Sequence, residues 1–106
     1  MVLPFIAGFV AGLLIGSIVV GFLSYEEIID WFNEHIDTIH NNEDNLAFTI
    51  KDILENGNYK IVQGVFNSQT GDVIEDRVIE AEEIDEELLE IHEEYENEEN
   101  LVIYEF

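Results

Sequence analysis

Three histidines and 25 carboxylates are the residues of this 106-residue chain whose types could do chemistry. Imidazole ligates zinc or moves protons near neutral pH, and paired carboxylates serve as acid and base. Spacing decides whether they do. His35 and His40 lie five residues apart, and His92 is remote from both. This differs from H-E-x-x-H, which sets two imidazoles and a glutamate on one helical face. The carboxylates are too numerous for any two to stand out. Ser24 and Ser68 have no histidine beside them, and neither G-x-S-x-G nor a glycine-rich phosphate loop occurs. Cysteine is absent, which removes disulfides and thiolate metal sites. The sequence therefore reads as non-enzymatic, with no catalytic, cofactor-binding or metal-ligating residue assigned.

Charge restricts the partners. Lys and Arg total 3 against 25 Asp and Glu, a formal charge of −22. A surface that binds phosphates must supply Lys and Arg, so DNA, RNA and anionic headgroups are excluded. A basic protein surface or a cation suits the acidic part. The glutamate-rich segment is a candidate for weak binding of divalent cations, because Ca²⁺ and Mg²⁺ take oxygen ligands. However, residues 67–72 lack the ligand pattern of a calcium loop.

The chain divides into two materials. Residues 1–23 contain no ionisable side chain, and Val2 to Leu23 form an apolar run of 22 residues. As a helix this run measures about 33 Å, enough to span a hydrocarbon core of about 30 Å. No basic residue precedes it and no small-residue cleavage site follows it, unlike a secretory signal peptide. The expectation is a single-pass membrane protein, with residues 1–23 as a transmembrane helix and residues 24–106 as an acidic domain on the cytoplasmic side. Lys51 is the first basic residue, so the positive-inside rule has little to act on. Gly8, Gly12 and Gly16 share one helical face, a spacing that permits close approach to another membrane helix or to a second copy. Tyr25 and Trp31 follow the apolar run and are read as membrane-interface aromatics.

For residues 24–106, Ser24-Tyr25-Glu26-Glu27 has capping-box form and predicts a helix to about His40. Leu46 to Asn56 reads as a second helix ended by Gly57. Tyr59–Asn67 and Val73–Ala81 read as a β-hairpin, with Gly64 marking a bulge or a close backbone approach. Glu82–Glu99 holds eleven acidic residues in 18. Ile84, Leu88, Ile91 and Tyr95 place a helical stripe through it. The closing LVIYEF reads as a third strand. The expected fold is α+β, a transmembrane helix followed by an α-α-β-β-α-β domain with a three-stranded, mainly antiparallel sheet in spatial order 2-1-3. The expected function is an accessory subunit or interaction module of a membrane complex. The alternatives are a tethered cation-binding module and an acidic mimic of nucleic acid.

Overall fold

The computed structural model describes residues 18–95 and 100–106. These residues form a small α+β domain around a five-stranded mixed sheet. In chain order the elements are β1 (Ile18–Leu23), α1 (Tyr25–Glu34), α2 (Ile36–His40), β2 (Asn45–Ile53), β3 (Tyr59–Asn67), β4 (Val73–Ile84), α3 (Glu86–Glu94) and β5 (Leu101–Tyr104). The strand order is β1-β4-β3-β2-β5. β2, β3 and β4 run as an antiparallel meander, β5 adds antiparallel to β2, and β1 lies parallel to β4.

Local chemistry sets the helix starts. The Ser24 hydroxyl accepts the Glu27 N–H at 3.1 Å, capping α1. α1 buries Ile28 and Phe32 completely and ends at His35, where φ −109° and ψ 18° leave the helical range. Asp85 caps α3 by accepting the Glu87 N–H at 3.1 Å, and its other carboxylate oxygen accepts the Tyr25 N–H at 3.1 Å. The Asp85 N–H donates to the Leu23 carbonyl at 2.9 Å. One residue thus ties together the end of β1 and the starts of both longer helices. Four orphan N–H groups sit at each such helix start, and one carboxylate serves donors of two.

The sheet is apolar on both faces. The main cluster joins Leu23, Ile28, Phe32, Ile39, Ala47, Ile61, Val65, Ile79, Ala81, Ile84 and Leu88, with the helices packed on it. A second cluster on the other face contains Phe48, Ile50, Val62, Phe66, Val78 and Leu101. Gly64 stands opposite Phe48 across the β2–β3 ladder. A Cβ there would collide with the Glu75 carbonyl and crowd the Phe48 ring. The close backbone approach expected at Gly64 is therefore present, whereas the register shift falls between Val65 and Phe66.

Several expectations are corrected. The 22-residue transmembrane helix is overturned at its C-terminal end: Ile18–Leu23 is a β-strand, and no helix among the described residues is long and apolar enough to cross a membrane. The membrane localisation that rested on it has no support in these elements. Two β-branched residues, Val19 and Val20, follow Ile18, and such side chains fit a pleated strand. An unbroken apolar run does not by itself distinguish a helix from a strand. The helix expected over residues 46–56 is instead β2. Leu46, Phe48 and Ile50 pack toward the second cluster, while Ala47 and Thr49 are buried on the helix side. Burial on both faces produces consecutive apolar residues that imitate a helical stripe. The three-stranded sheet in order 2-1-3 becomes five-stranded because β2 takes the position beside β3 that was expected for the C-terminal strand. β5 consequently pairs with β2 and runs antiparallel to β4. The single helix expected from Ser24 to His40 is two helices, and β4 extends through Ile84 before α3 begins.

Candidate functional site

Gly8, Gly12 and Gly16 lie outside the described residues. Tyr25 and Trp31 are both on α1, half-buried and packed against the main cluster. Trp31 stacks on His35 with ring centroids 3.9 Å apart and 27° between planes, and it meets Phe32 edge-on at 5.7 Å. Tyr25 lines a cleft formed by distant parts of the chain.

That cleft has a volume of about 600 Å³. α1 contributes Tyr25 and Ile29 to its wall, α3 contributes Ile91, Glu94 and Tyr95, and β5 with the residues after it contributes Val102 to Phe106. Tyr95 and Phe106 are 58% and 41% exposed. These are large apolar or amphipathic surfaces left in water at the mouth. Glu94 and Glu105 stand among them. The negative charge extends further, since burial and then Glu87 raise the Tyr25 pKa. The Phe106 ring packs on Phe32 at 5.2 Å, and its carbonyl accepts from His40 Nε2 at 3.0 Å. The terminal residues are thereby fixed as one wall. A cleft of mixed apolar, aromatic and acidic lining is chemically suited to an apolar side chain flanked by cations.

Two polar arrangements lie elsewhere between the helices and the sheet. Thr49, on β2, is fully buried, and its hydroxyl lies 2.9 Å from His92 Nε2 and 2.8 Å from the Tyr104 hydroxyl. Burial first, and then Lys51, push the His92 pKa down to about 4, against stabilisation of the charged ring by the Asn100 backbone. Burial also pushes Tyr104 up to about 12, with the Thr49 hydrogen bond acting in the opposite direction. At neutral pH the imidazole is therefore uncharged. Nδ1 has no well-formed hydrogen bond. A hydroxyl beside an imidazole is the pairing found in nucleophilic catalysis. Here Thr49 is 0% exposed and His92 4%, so substrate cannot reach either. The arrangement instead satisfies buried polar groups between β2, α3 and β5.

The second arrangement centres on Arg77. Its Nε donates to Gln63 Oε1 at 2.7 Å, Nη2 donates to the Glu27 carbonyl at 3.3 Å, and the guanidinium lies 5.6 Å from the Trp31 ring. Gln63 is fully buried and donates to the Ile28 carbonyl at 2.7 Å. Burial lowers the Arg77 pKa, while Glu27 and Glu34 act to raise it. The arginine and glutamine together strap α1 to the sheet.

None of these residues except Tyr25 and Trp31 was assigned a role from the sequence. Some signals existed. Thr49 and Gln63 are polar residues inside otherwise apolar strands, and His92 continues the four-residue spacing of Ile84 and Leu88. Among the described residues no group of three or more His, Asp or Glu side chains is arranged to hold a metal ion. In comparisons with protein families, curated proteins and solved structures, the chain matches none.

Proposed function

We propose that this protein is a non-enzymatic interaction module that binds a basic, amphipathic segment of a partner protein in the cleft between α1, α3 and β5. The observation that carries this reading is a cleft that sets Ile29, Ile91, Val102 and aromatic rings beside Glu94 and Glu105 in a chain of charge −22. Exposed Tyr95 and Phe106 supply anchoring surface, and aromatic anchors dominate binding energy in protein interfaces. The surrounding carboxylates steer a cationic partner and reject anionic ones. Cation binding is the second reading; among the described residues no clustered ligand set supports it.

The test is calorimetric titration of the full chain with two synthetic peptides of equal length, one of alternating lysine and leucine and one of glutamate and leucine. The lysine peptide should bind and the glutamate peptide should not. Raising NaCl from about 20 to about 300 mM should weaken binding about tenfold or more, as screening of exposed charges requires. Glu94→Lys combined with Glu105→Lys should abolish most of that salt dependence. Equal binding of both peptides, or binding unaffected by the double charge reversal, would remove the basis for the proposal.

A further inference from the structure

Of the asparagines in the chain, Asn56 alone is followed by glycine and Asn67 alone by serine. An asparagine amide is lost when the next backbone nitrogen attacks its Cγ and closes a five-membered imide. The attack needs a small following residue, an open path and an approach held near the reacting geometry. The turn between β2 and β3 supplies these together. Asn56 and Gly57 are exposed, and a Cβ placed at Gly57 would meet nothing within 4 Å. Gly57 has φ 88°, a conformation natural to glycine. Asn56 Oδ1 accepts the Asn58 N–H at 2.9 Å, and the ring closed by that bond contains both Asn56 Cγ and the Gly57 nitrogen. The same N–H faces the oxygen on which negative charge develops during attack, so it stabilises the transition state. One bond opposes the reaction: the Gly57 N–H donates to the Leu54 carbonyl at 2.9 Å. A single bond in an exposed turn opens locally, without unfolding of the domain.

Two other asparagines meet part of this description and fail the rest. Asn42 forms the same ring, its Oδ1 accepting the Asp44 N–H at 2.9 Å, but the next residue is Glu43, whose side chain crowds the attack. Asn67 precedes the small Ser68 but is only 9% exposed. Its Oδ1 accepts the Gln69 and Thr70 N–H groups at 3.0 Å each, and its Nδ2 donates to Asn45 at 3.0 Å. The Ser68 N–H that would attack donates instead to the Asp44 carbonyl at 2.8 Å. We propose that Asn56 is a site of spontaneous covalent modification in the folded protein, with water as the co-reactant. The bond from the Gly57 nitrogen to Asn56 Cγ forms as the Cγ–Nδ2 bond breaks, and the Gly57 N–H proton leaves with the amide as ammonia. Water then opens the imide. Cleavage at Cγ leaves aspartate; cleavage at the backbone carbonyl leaves isoaspartate, with the chain routed through Cγ. Either product adds a negative charge beside Glu55, and isoaspartate also dismantles the ring that holds the Asn58 N–H.

The test is peptide-mapping mass spectrometry of the full chain aged at mildly alkaline pH, once folded and once in urea, with chromatographic separation of aspartyl and isoaspartyl peptides. It needs no variant to fold. In the folded protein the peptide holding Asn56 should convert to acid several-fold faster than those holding Asn42 or Asn67. Urea should accelerate Asn67 several-fold and change Asn56 far less. In the isoaspartyl fraction, amide exchange at Asn58 should be several-fold faster than in fresh protein. An Asn56 amide that survives in the folded chain yet is lost quickly in urea would show that the Leu54 carbonyl holds the nitrogen shut, and would overturn the proposal. Equal rates at Asn42 and Asn56 would overturn it as well, because the open glycine would then confer nothing. As a second measurement, Asn56→Gln lengthens the ring that must close, and its peptide should keep its amide over the same interval.

Discussion

His92 gives the domain a pH response that its many carboxylates would not produce. The ring is 4% exposed and its pKa is pushed from 6.5 down to about 4. In the unfolded chain it takes a proton near its ordinary value, while the folded ring resists until about pH 4. Between these limits the unfolded state binds more protons, so stability rises with pH. The contribution of the neutral buried ring is fully present above pH 6.5 and is lost progressively as pH falls toward 4. With about 1.4 kcal/mol per pKa unit, the loss is about 2 kcal/mol at pH 5 and about 3 kcal/mol near pH 4. Protonation of surface carboxylates relieves self-repulsion and works in the opposite direction, so wild-type stability alone is ambiguous. The informative quantity is a difference. His92→Gln removes the titration and keeps a polar group within reach of Thr49. Urea unfolding of both proteins at pH 8, 6.5 and 5 should show the wild type losing about 2 kcal/mol relative to the variant by pH 5. Parallel curves for the two proteins would refute the reasoning.

Further expectations concern individual packing and capping interactions. Arg77→Ala strands the Oε1 of fully buried Gln63 and should cost about 1–3 kcal/mol in chemical unfolding. A cost near zero would mean that the strap is slack. Gly64→Ala forces a methyl group against the Glu75 carbonyl and the Phe48 ring and should cost about 1–3 kcal/mol, read as a lowered Tm. A stabilised variant would contradict the close approach. Asp85→Ala removes acceptors from two helix starts at once and should cost more than the ~1 kcal/mol typical of one cap. Asp85→Asn should recover much of that loss in the same melt. Within α3, Glu86 and Glu90, and Glu90 and Glu94, are like charges at i, i+4. Modest NaCl should therefore raise the thermal midpoint, and a fall would show that repulsion is not limiting.

The legible parts of the fold were those whose signals are local. The β3–β4 hairpin announces itself through β-branched runs separated by Ser68 to Asp72, and the α1 start through Ser24 and Glu27. β2 was hidden because two-sided burial makes Leu46, Ala47 and Phe48 consecutively apolar, erasing the alternation that marks a strand. β1 was hidden inside an uncharged run long enough to suggest a different solvent altogether. The cleft could not be read from spacing, because its walls come from residues 25–29, 91–95 and 102–106 and meet only through tertiary packing. Arg77 and Gln63 are similarly joined by strand register, with Gln63 opposite Arg77 in the β3–β4 ladder.

The strand order also has a temporal consequence. The three inner strands are consecutive in sequence and close through short turns, while each outer strand pairs over a long separation: Ile18 with Ile79, and Leu101 with Ile50. Pairings between distant residues form slowly, since chain closure costs entropy before any contact repays it. The meander is thus the natural folding nucleus, and substitutions at Ile61 or Val62 should slow refolding more than substitutions at Val20. On the ribosome the asymmetry is sharper. Synthesis begins at the N-terminus, so β1 leaves the exit tunnel long before β4 exists to receive it. Throughout that interval the segment Ile-Val-Val-Gly-Phe-Leu has no strand to pair with, and unpaired apolar edges are where nascent chains aggregate or recruit chaperones.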